Sequence, residues 1–318
     1  MSIACAEARK WLGATSPNPA VGAVALDNKG AILALAAHHR AGWMHAEAQL
    51  LQACASGRLL RRVHTLCVSL EPCNHFGRTP PCTDAIIRAG IQSVVVGVRD
   101  PNSAVKGGGI EHLQQAGIDV ILGVAENECQ QLIHAYAYHA RTGKPWITIK
   151  RAFDRNGSMI PPAGQKTFTS PESLRLAHRL RKKADAIITG SGTILADNPE
   201  FTIRHVADHP EKKRWLAILD RRGRITGNYL ASAKQRGLIP VIYKDIEAAL
   251  TDLIAKGTQD ILVEAGPVLS QAMLDVGLWT MKIDIRQGDT DDVQTSFNPA
   301  EAQNIGAEEH NLDLMLPP

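Results

Sequence analysis

Apolar positions along this chain come in two spacings, short continuous runs and helical repeats, and the two take turns from end to end. Ile3–Leu12 repeats as a helix, and Ser16-Pro17-Asn18-Pro19 breaks it. Two apolar runs, Ala20–Leu26 and Ile32–Ala37, flank Asp27-Asn28-Lys29-Gly30, which is a hairpin signal. From His45 to Cys54 the residues Ala46, Leu50, Leu51 and Cys54 recur on one helical face, and Gly57 stops the repeat. Predicted strands at His64–Leu70, Ser93–Val98 and Asp119–Val124 alternate with predicted helices at Thr83–Ala89 and Ile110–Ala116, and a helix over Glu126–Ala140 follows. Continuously apolar strands separated by helices indicate a largely parallel sheet covered on both faces.

Arg141-Thr142-Gly143-Lys144-Pro145 reads as a linker, and the pattern restarts after it, which predicts domains over 1–143 and 144–318. Strands are expected at Trp146–Phe153, Ala186–Thr189, Trp215–Leu219, Ile239–Tyr243 and Asp260–Val263, with helices at Pro171–Lys183, Ile246–Lys256 and Val268–Val276. Trp279–Arg286 offers one further strand. Gly288–Pro318 is polar, acidic and without periodicity, which predicts irregular structure there.

Composition narrows the function classes. A length of 318 residues exceeds the usual single domain, in agreement with the restart. A formal charge of +3 with no basic stripe argues against a nucleic-acid-binding surface. Met1-Ser2-Ile3-Ala4-Cys5 does not resemble a secretory leader, and no apolar stretch is long enough to span a bilayer, so no membrane partner is expected. Six scattered cysteines suit a reducing cytoplasm, where closely placed ones more often mean metal or catalysis than disulfides.

The chemistry sits in three segments, His45-Ala46-Glu47, Glu71-Pro72-Cys73 and Pro80-Pro81-Cys82. A hydrolytic zinc takes three protein ligands and keeps one position open for water. His45, Cys73 and Cys82 meet that requirement, and the metal lowers the pKa of bound water toward neutrality. A separate carboxylate then has to move protons, and Glu47 is the candidate. Two residues on an ideal helix are separated by roughly 200°, so His45 and Glu47 can serve one site only at a helix start. A structural zinc would want a fourth ligand, for which His75 is the one rival, and it would leave Glu47 without a role. Cys5, Cys54, Cys67 and Cys129 read as buried packing. The general deaminase signature has two residues between its cysteines, whereas here eight intervene. In that excursion His75 and Arg78 are placed to meet an anionic group such as phosphate.

The run Glu71-Pro72-Cys73-Asn74-His75-Phe76-Gly77-Arg78-Thr79-Pro80-Pro81-Cys82 closely resembles the signature of the bifunctional riboflavin-biosynthesis deaminase–reductases, the RibD/RibG family. Ser16-Pro17-Asn18-Pro19 with Val21-Gly22, Arg40-Ala41-Gly42 and Asp100-Pro101-Asn102 strengthen the likeness, which extends to about Gly277. The resemblance implies a cytidine-deaminase-like three-layer α/β/α sandwich, then a dihydrofolate-reductase-like α/β domain shortened at its C-terminus. It implies deamination of 2,5-diamino-6-(5-phosphoribosylamino)pyrimidin-4-one, then NADPH-dependent reduction of the ribosyl group to ribityl. Asn18, His75, Arg78 and Asn102 would then contact the phosphoribosylated pyrimidine. The reductase positions would be Lys150, Thr169, Gly190 and Thr193 near the cofactor, Asp197 on ribose hydroxyls, Arg204 on phosphate, and Glu264. A cytoplasmic homo-oligomer, dimer or tetramer, is expected.

Departures from the family pattern keep a second reading open. Where the family reads Ala-x-Ser-x-Asp-Gly after its lysine, this chain has Ala152-Phe153-Asp154-Arg155-Asn156-Gly157. Lys106 stands where a small residue is usual, and the Gly-rich loop expected after the last helix is missing. The alternative is therefore a deaminase whose second domain serves folding or oligomerisation.

Overall fold

The computed structural model describes all residues except 76–79, 103–107, 162–166, 210 and 306–309. It separates into two compact units, Met1–Gly143 with Ala307–Pro318, and Lys144–Gly306.

The first unit runs α1 (Ser2–Arg9), β1 (Gly22–Leu26), β2 (Ile32–Ala37), α2 (Ala46–Ser56), β3 (Thr65–Leu70), α3 (Cys82–Arg88), β4 (Ser93–Val98), α4 (Gly109–Gln115), β5 (Asp119–Leu122), α5 (Glu126–Leu132) and α6 (His134–Thr142). Its five-stranded sheet has the order β2-β1-β3-β4-β5. The β1–β2 hairpin and the β1–β3 pair are antiparallel, and β3, β4 and β5 run parallel. Leu50, Leu66, Val94, Ile86 and Leu113 form the core between sheet and helices. The single helix expected over Glu126–Ala140 is interrupted at Ile133 (φ −106°, ψ 15°), where the His134 ring bonds the Gln131 carbonyl at 2.8 Å.

The second unit runs β6 (Trp146–Phe153), α7 (Pro171–Lys183), β7 (Ala186–Gly190), α8 (Ser191–Asp197), β8 (Arg214–Leu219), α9 (Gly227–Gln235), β9 (Leu238–Tyr243), α10 (Ile246–Ala255), β10 (Asp260–Val263), α11 (Pro267–Asp275), β11 (Met281–Arg286), β12 (Asp292–Phe297) and α12 (Ala302–Ile305). Its seven-stranded sheet has the order β12-β11-β6-β10-β7-β8-β9. All neighbours are parallel except β11 and β12. Short helices α8 and α9 escaped sequence analysis because small and polar residues mask their periodicity.

The C-terminal segment corrects the sequence-based expectation. Instead of one strand and an irregular tail, β12 pairs with β11 over six residue pairs, from Met281↔Phe297 to Arg286↔Asp292. As an exposed edge strand, β12 is held by its backbone ladder and needs no apolar alternation. Beyond it, Met315 and Leu316 are fully buried in the first unit, where the Asn311 N–H donates to Gln131 Oε1 at 2.7 Å. The end of the predicted 144–318 domain thus packs with the first unit. Leu316→Ala is expected to cost about 2–5 kcal/mol, the usual range for emptying a buried leucine site. Hydrogen exchange should show the loss in α5 and α6, with β7 amides unchanged; loss confined to the second unit would contradict the assignment.

Candidate functional site

His45 is the N-cap of α2, with extended backbone (φ −67°, ψ 162°), so it precedes the helix while Glu47 lies in its first turn. This resolves the angular problem that a continuous helix poses for the pair. The cap is fixed from behind. Met44 O accepts from His38 Nδ1 at 3.1 Å and from Gln49 Nε2 at 2.8 Å, and Gln49 also reaches Ala37 O at 2.8 Å. The same His38 ring meets Asn18 Nδ2 at 3.1 Å through Nε2 and stands edge-on to His45 with centroids 5.5 Å apart. Burial lowers the His38 pKa and keeps the ring neutral, which fits Nδ1 as donor and Nε2 as acceptor.

Cys73 follows the end of β3, and Cys82 opens α3. The Cys82 N–H points at Cys73 Sγ, 3.3 Å away, as expected where a helix N-terminus offers amides to a thiolate. Thr83 Oγ1 donates to Asn74 Oδ1 at 3.0 Å, which ties the residue after Cys73 to the start of α3. Glu71, buried, accepts from Asp100 N and Ile110 N, both at 3.2 Å, and so joins the ends of β3 and β4 to α4. At Gly109 an added Cβ would lie 2.1 Å from Pro72 O, so only glycine allows α4 to approach the Cys73 loop.

His45, Cys73 and Cys82 converge, with ligand atoms all within 4.8 Å of one another. His45 Nδ1 is 3.5 Å from Cys73 Sγ and 3.4 Å from Cys82 Sγ. Hydrogen bonding from Cys82 and His45 draws the Cys73 thiol down to about 4, against the cost of burial, toward the thiolate that a metal binds. One imidazole and two sulfurs, with no fourth protein donor grouped with them among the described residues, fit a zinc that keeps a position for water. Glu47 is 3% exposed, and burial pushes its carboxyl pKa up. His75 is exposed and stands outside the metal cluster, Asn102 is half-buried beside Asp100, and Arg78 lies outside the described residues.

In the second unit, β7 leads to β8 on one side, while β10 lies on its other side. The carboxyl ends of β7 and β10 therefore form a topological switch point, where open α/β sheets bind ligands. Gly190 ends β7, and Thr193 Oγ1 in α8 accepts the Gly266 N–H after β10 at 2.9 Å. Beside this turn, Glu264 is buried between two cations: Lys150 Nζ at 3.2 Å, and Arg181 through Nε at 2.5 Å and Nη2 at 3.1 Å. Burial raises the Glu264 pKa, but Arg181 and Lys150 overcome it and hold the carboxyl at about 2. Thr169 bonds Thr167, Asp197 is exposed at the end of α8, and Arg204 is exposed and paired with Glu200. These three are not drawn into the Lys150–Glu264 cluster.

Sequence reasoning missed His38 and Arg181, and it gave Glu71 no role although Glu71 opens the Glu71-Pro72-Cys73 segment. His38 directly follows the apolar strand β2, next to a recognised motif, a usable signal. Arg181 lies in the basic run Arg179–Lys183, which reads as a solvated helix face.

Residues 1–98 match the cytidine and deoxycytidylate deaminase zinc-binding region, and residues 145–279 match the RibD C-terminal domain. A riboflavin biosynthesis protein RibD of Aquifex aeolicus is 43% identical over 221 residues, 69% of this chain and 60% of that protein. The Escherichia coli protein of the same name is 35% identical over 297 residues, 83% of this chain and 80% of that protein. The chain spans 54% of the Bacillus amyloliquefaciens relative. A diaminohydroxyphosphoribosylaminopyrimidine deaminase/5-amino-6-(5-phosphoribosylamino)uracil reductase from Thermotoga maritima superposes with a TM-score of 0.80 at 31% identity, covering 90% of this chain and 85% of that one. Acinetobacter baumannii RibD gives a TM-score of 0.73 at 30% identity.

The Glu264 carboxyl sits below its ordinary value of 4.5, so its ionisation stabilises the fold above that pH, and the contribution is lost as pH falls toward about 2. Urea midpoints should therefore drop steeply over that window. Glu264→Gln, which strands two cations, should cost about 3–5 kcal/mol near neutral pH and flatten the acid limb. A limb of unchanged steepness in the variant would contradict the assignment.

Proposed function

Because this chain belongs to the RibD family of riboflavin-biosynthesis proteins, we propose that it catalyses two successive steps on one phosphoribosylated pyrimidine. In the first unit 2,5-diamino-6-(5-phosphoribosylamino)pyrimidin-4-one is hydrolytically deaminated. In the second, the ribosyl group of the product is reduced to ribityl. The observation that carries this reading is the His45–Cys73–Cys82 cluster with a buried carboxylate two residues from the histidine.

Zinc, when bound by the three residues, supplies the Lewis acidity that makes water nucleophilic near neutral pH. Deamination adds water and releases ammonia, so a proton has to pass from the water to the ring nitrogen and on to the departing amine. Glu47 is the proton carrier, since its buried carboxyl accepts a proton more readily than a solvated one. Asn18, oriented by His38, and Asn102, held on the Asp100 turn, are assigned to the pyrimidine, and His75 and Arg78 to the phosphoribosyl tail.

NADPH, when bound in the second unit, would supply the hydride, and the protein's part is alignment. Gly190, Thr193 and the Gly266 turn offer close backbone approach at the switch point, with Thr169 beside the nicotinamide. Lys150, held by its ion pair with Glu264, is assigned to the reacting sugar; Asp197 and Arg204 are assigned to its hydroxyls and phosphate. A second reading, deamination alone, is favoured by one observation. Asp154, which replaces the family's serine, spends its Oδ1 on the N–H groups of Asn156 and Ser158, at 2.9 and 2.7 Å. The second unit then serves folding or homo-oligomer assembly.

Glu47→Gln should retain zinc by metal analysis while ammonia release falls by about 10²–10⁴-fold, the usual weight of a positioned acid–base group; undiminished release would overturn its role. With the diaminopyrimidine supplied, wild-type protein should release ammonia and consume NADPH in equal amounts. Ammonia release without NADPH loss would select the second reading.

A further inference from the structure

The turn after β4, Asp100-Pro101-Asn102, carries the asparagine assigned to the pyrimidine, and a distant element sets its geometry. Asp100 Oδ1 accepts the Asn102 N–H at 2.9 Å, while the Asp100 N–H donates to Glu71 Oε2 at 3.2 Å. The same Oδ1 accepts the Tyr136 hydroxyl of α6, also at 2.9 Å. Helix α6 begins after the break at Ile133, and the Tyr136 ring packs on the apolar cluster that includes Leu70, Leu132 and Ala137. A ring held by packing gives its hydroxyl a fixed position.

The donors and acceptors along this chain of contacts fit in one way. Burial and the neighbouring Asp100 carboxyl push the Tyr136 pKa above its ordinary value of 10, so the phenol keeps its proton and can donate. That proton goes to Asp100, and the Asn102 side chain hydrogen-bonds the same phenol. A hydroxyl whose one proton is committed can only accept from a further partner. It is therefore the Asn102 amide nitrogen, and not its carbonyl oxygen, that faces Tyr136. Burial raises the Asp100 pKa, and the Asn102 N–H and the Tyr136 hydroxyl work against that shift.

An asparagine amide has nearly the same shape in its two flipped orientations, so packing alone does not choose between them. We propose that Tyr136 is a positioning residue of the deaminase site, holding the Asn102 amide in a single orientation for the pyrimidine. Its hydroxyl acts twice, on the backbone of the turn through Asp100 and on the Asn102 side chain directly. Tyr136 thus serves the substrate through Asn102 and not by contact of its own. The inference rests on the deaminase reading of the first unit, with Asn102 on the pyrimidine, and adds to it the group that orients that contact.

A double-mutant cycle on the zinc-loaded full-length chain tests the proposal, with ammonia release from the diaminopyrimidine as the rate and zinc content measured alongside. Tyr136→Phe removes one oxygen and keeps the packed ring. It should lower kcat/KM by about 3–10-fold, the weight of one hydrogen bond, with the loss carried by KM and zinc retained. In an Asn102→Ala background the same substitution should change kcat/KM by less than about 2-fold, because the group it orients is already gone. Losses that multiply in the double variant, a fall in kcat alone, loss of zinc, or a silent Tyr136→Phe would each overturn the positioning role and leave the deaminase reading in place. A wild-type chain that releases no ammonia from this substrate would overturn both.

Discussion

Bringing one imidazole and two sulfurs within 4.8 Å of one another is the constraint on which the first unit depends. The three groups come from the start of α2, the end of β3 and the start of α3, so the sheet and both helices must be in register before the cluster exists. Much of the surrounding polar structure serves that register. Buried Glu71 ties together three loops, Gly109 lets α4 close on Pro72, and Met44 O receives two donors that fix the turn into α2. A buried acceptor left unpaired costs about 1–3 kcal/mol, so each bond also penalises the alternatives.

The second unit follows a different rule. Its parallel strands bury both faces in aliphatic side chains, while the carboxyl ends of β7 and β10 gather charge. Glu264 is tolerated at 6% exposure because Lys150 and Arg181 approach it together. Burying one ion without a partner is strongly unfavourable, which is why the carboxylate is met by two cations. The first unit is thus organised around a cluster of metal-binding donors, and the second around a buried carboxylate held by two cations.

The metal centre was largely legible in the sequence, because His45, Cys73 and Cys82 are chemically unusual and each falls at a predicted element end. The core strands were equally legible from their apolar runs. Less was visible where tertiary contact decides. Strand β12 is polar and stands on its hydrogen-bond ladder to β11. Met315 and Leu316 lie in an acidic, aperiodic tail, and only their burial shows that they belong with the first unit. Arg181 looked like a solvated helix residue because periodicity reports which face is apolar, not which long cation reaches across to Glu264. Arg78, which the loop signature singled out, lies outside the described residues.

The central claim is that the first unit holds a hydrolytic zinc with three protein ligands. X-ray absorption at the zinc edge of the purified full-length chain tests it most directly. The account predicts two sulfurs at about 2.3 Å and two nitrogen or oxygen neighbours at about 2.0–2.1 Å, one of them from His45 and the other exchangeable. A shell filled by protein donors alone, or one with no sulfur, would contradict it.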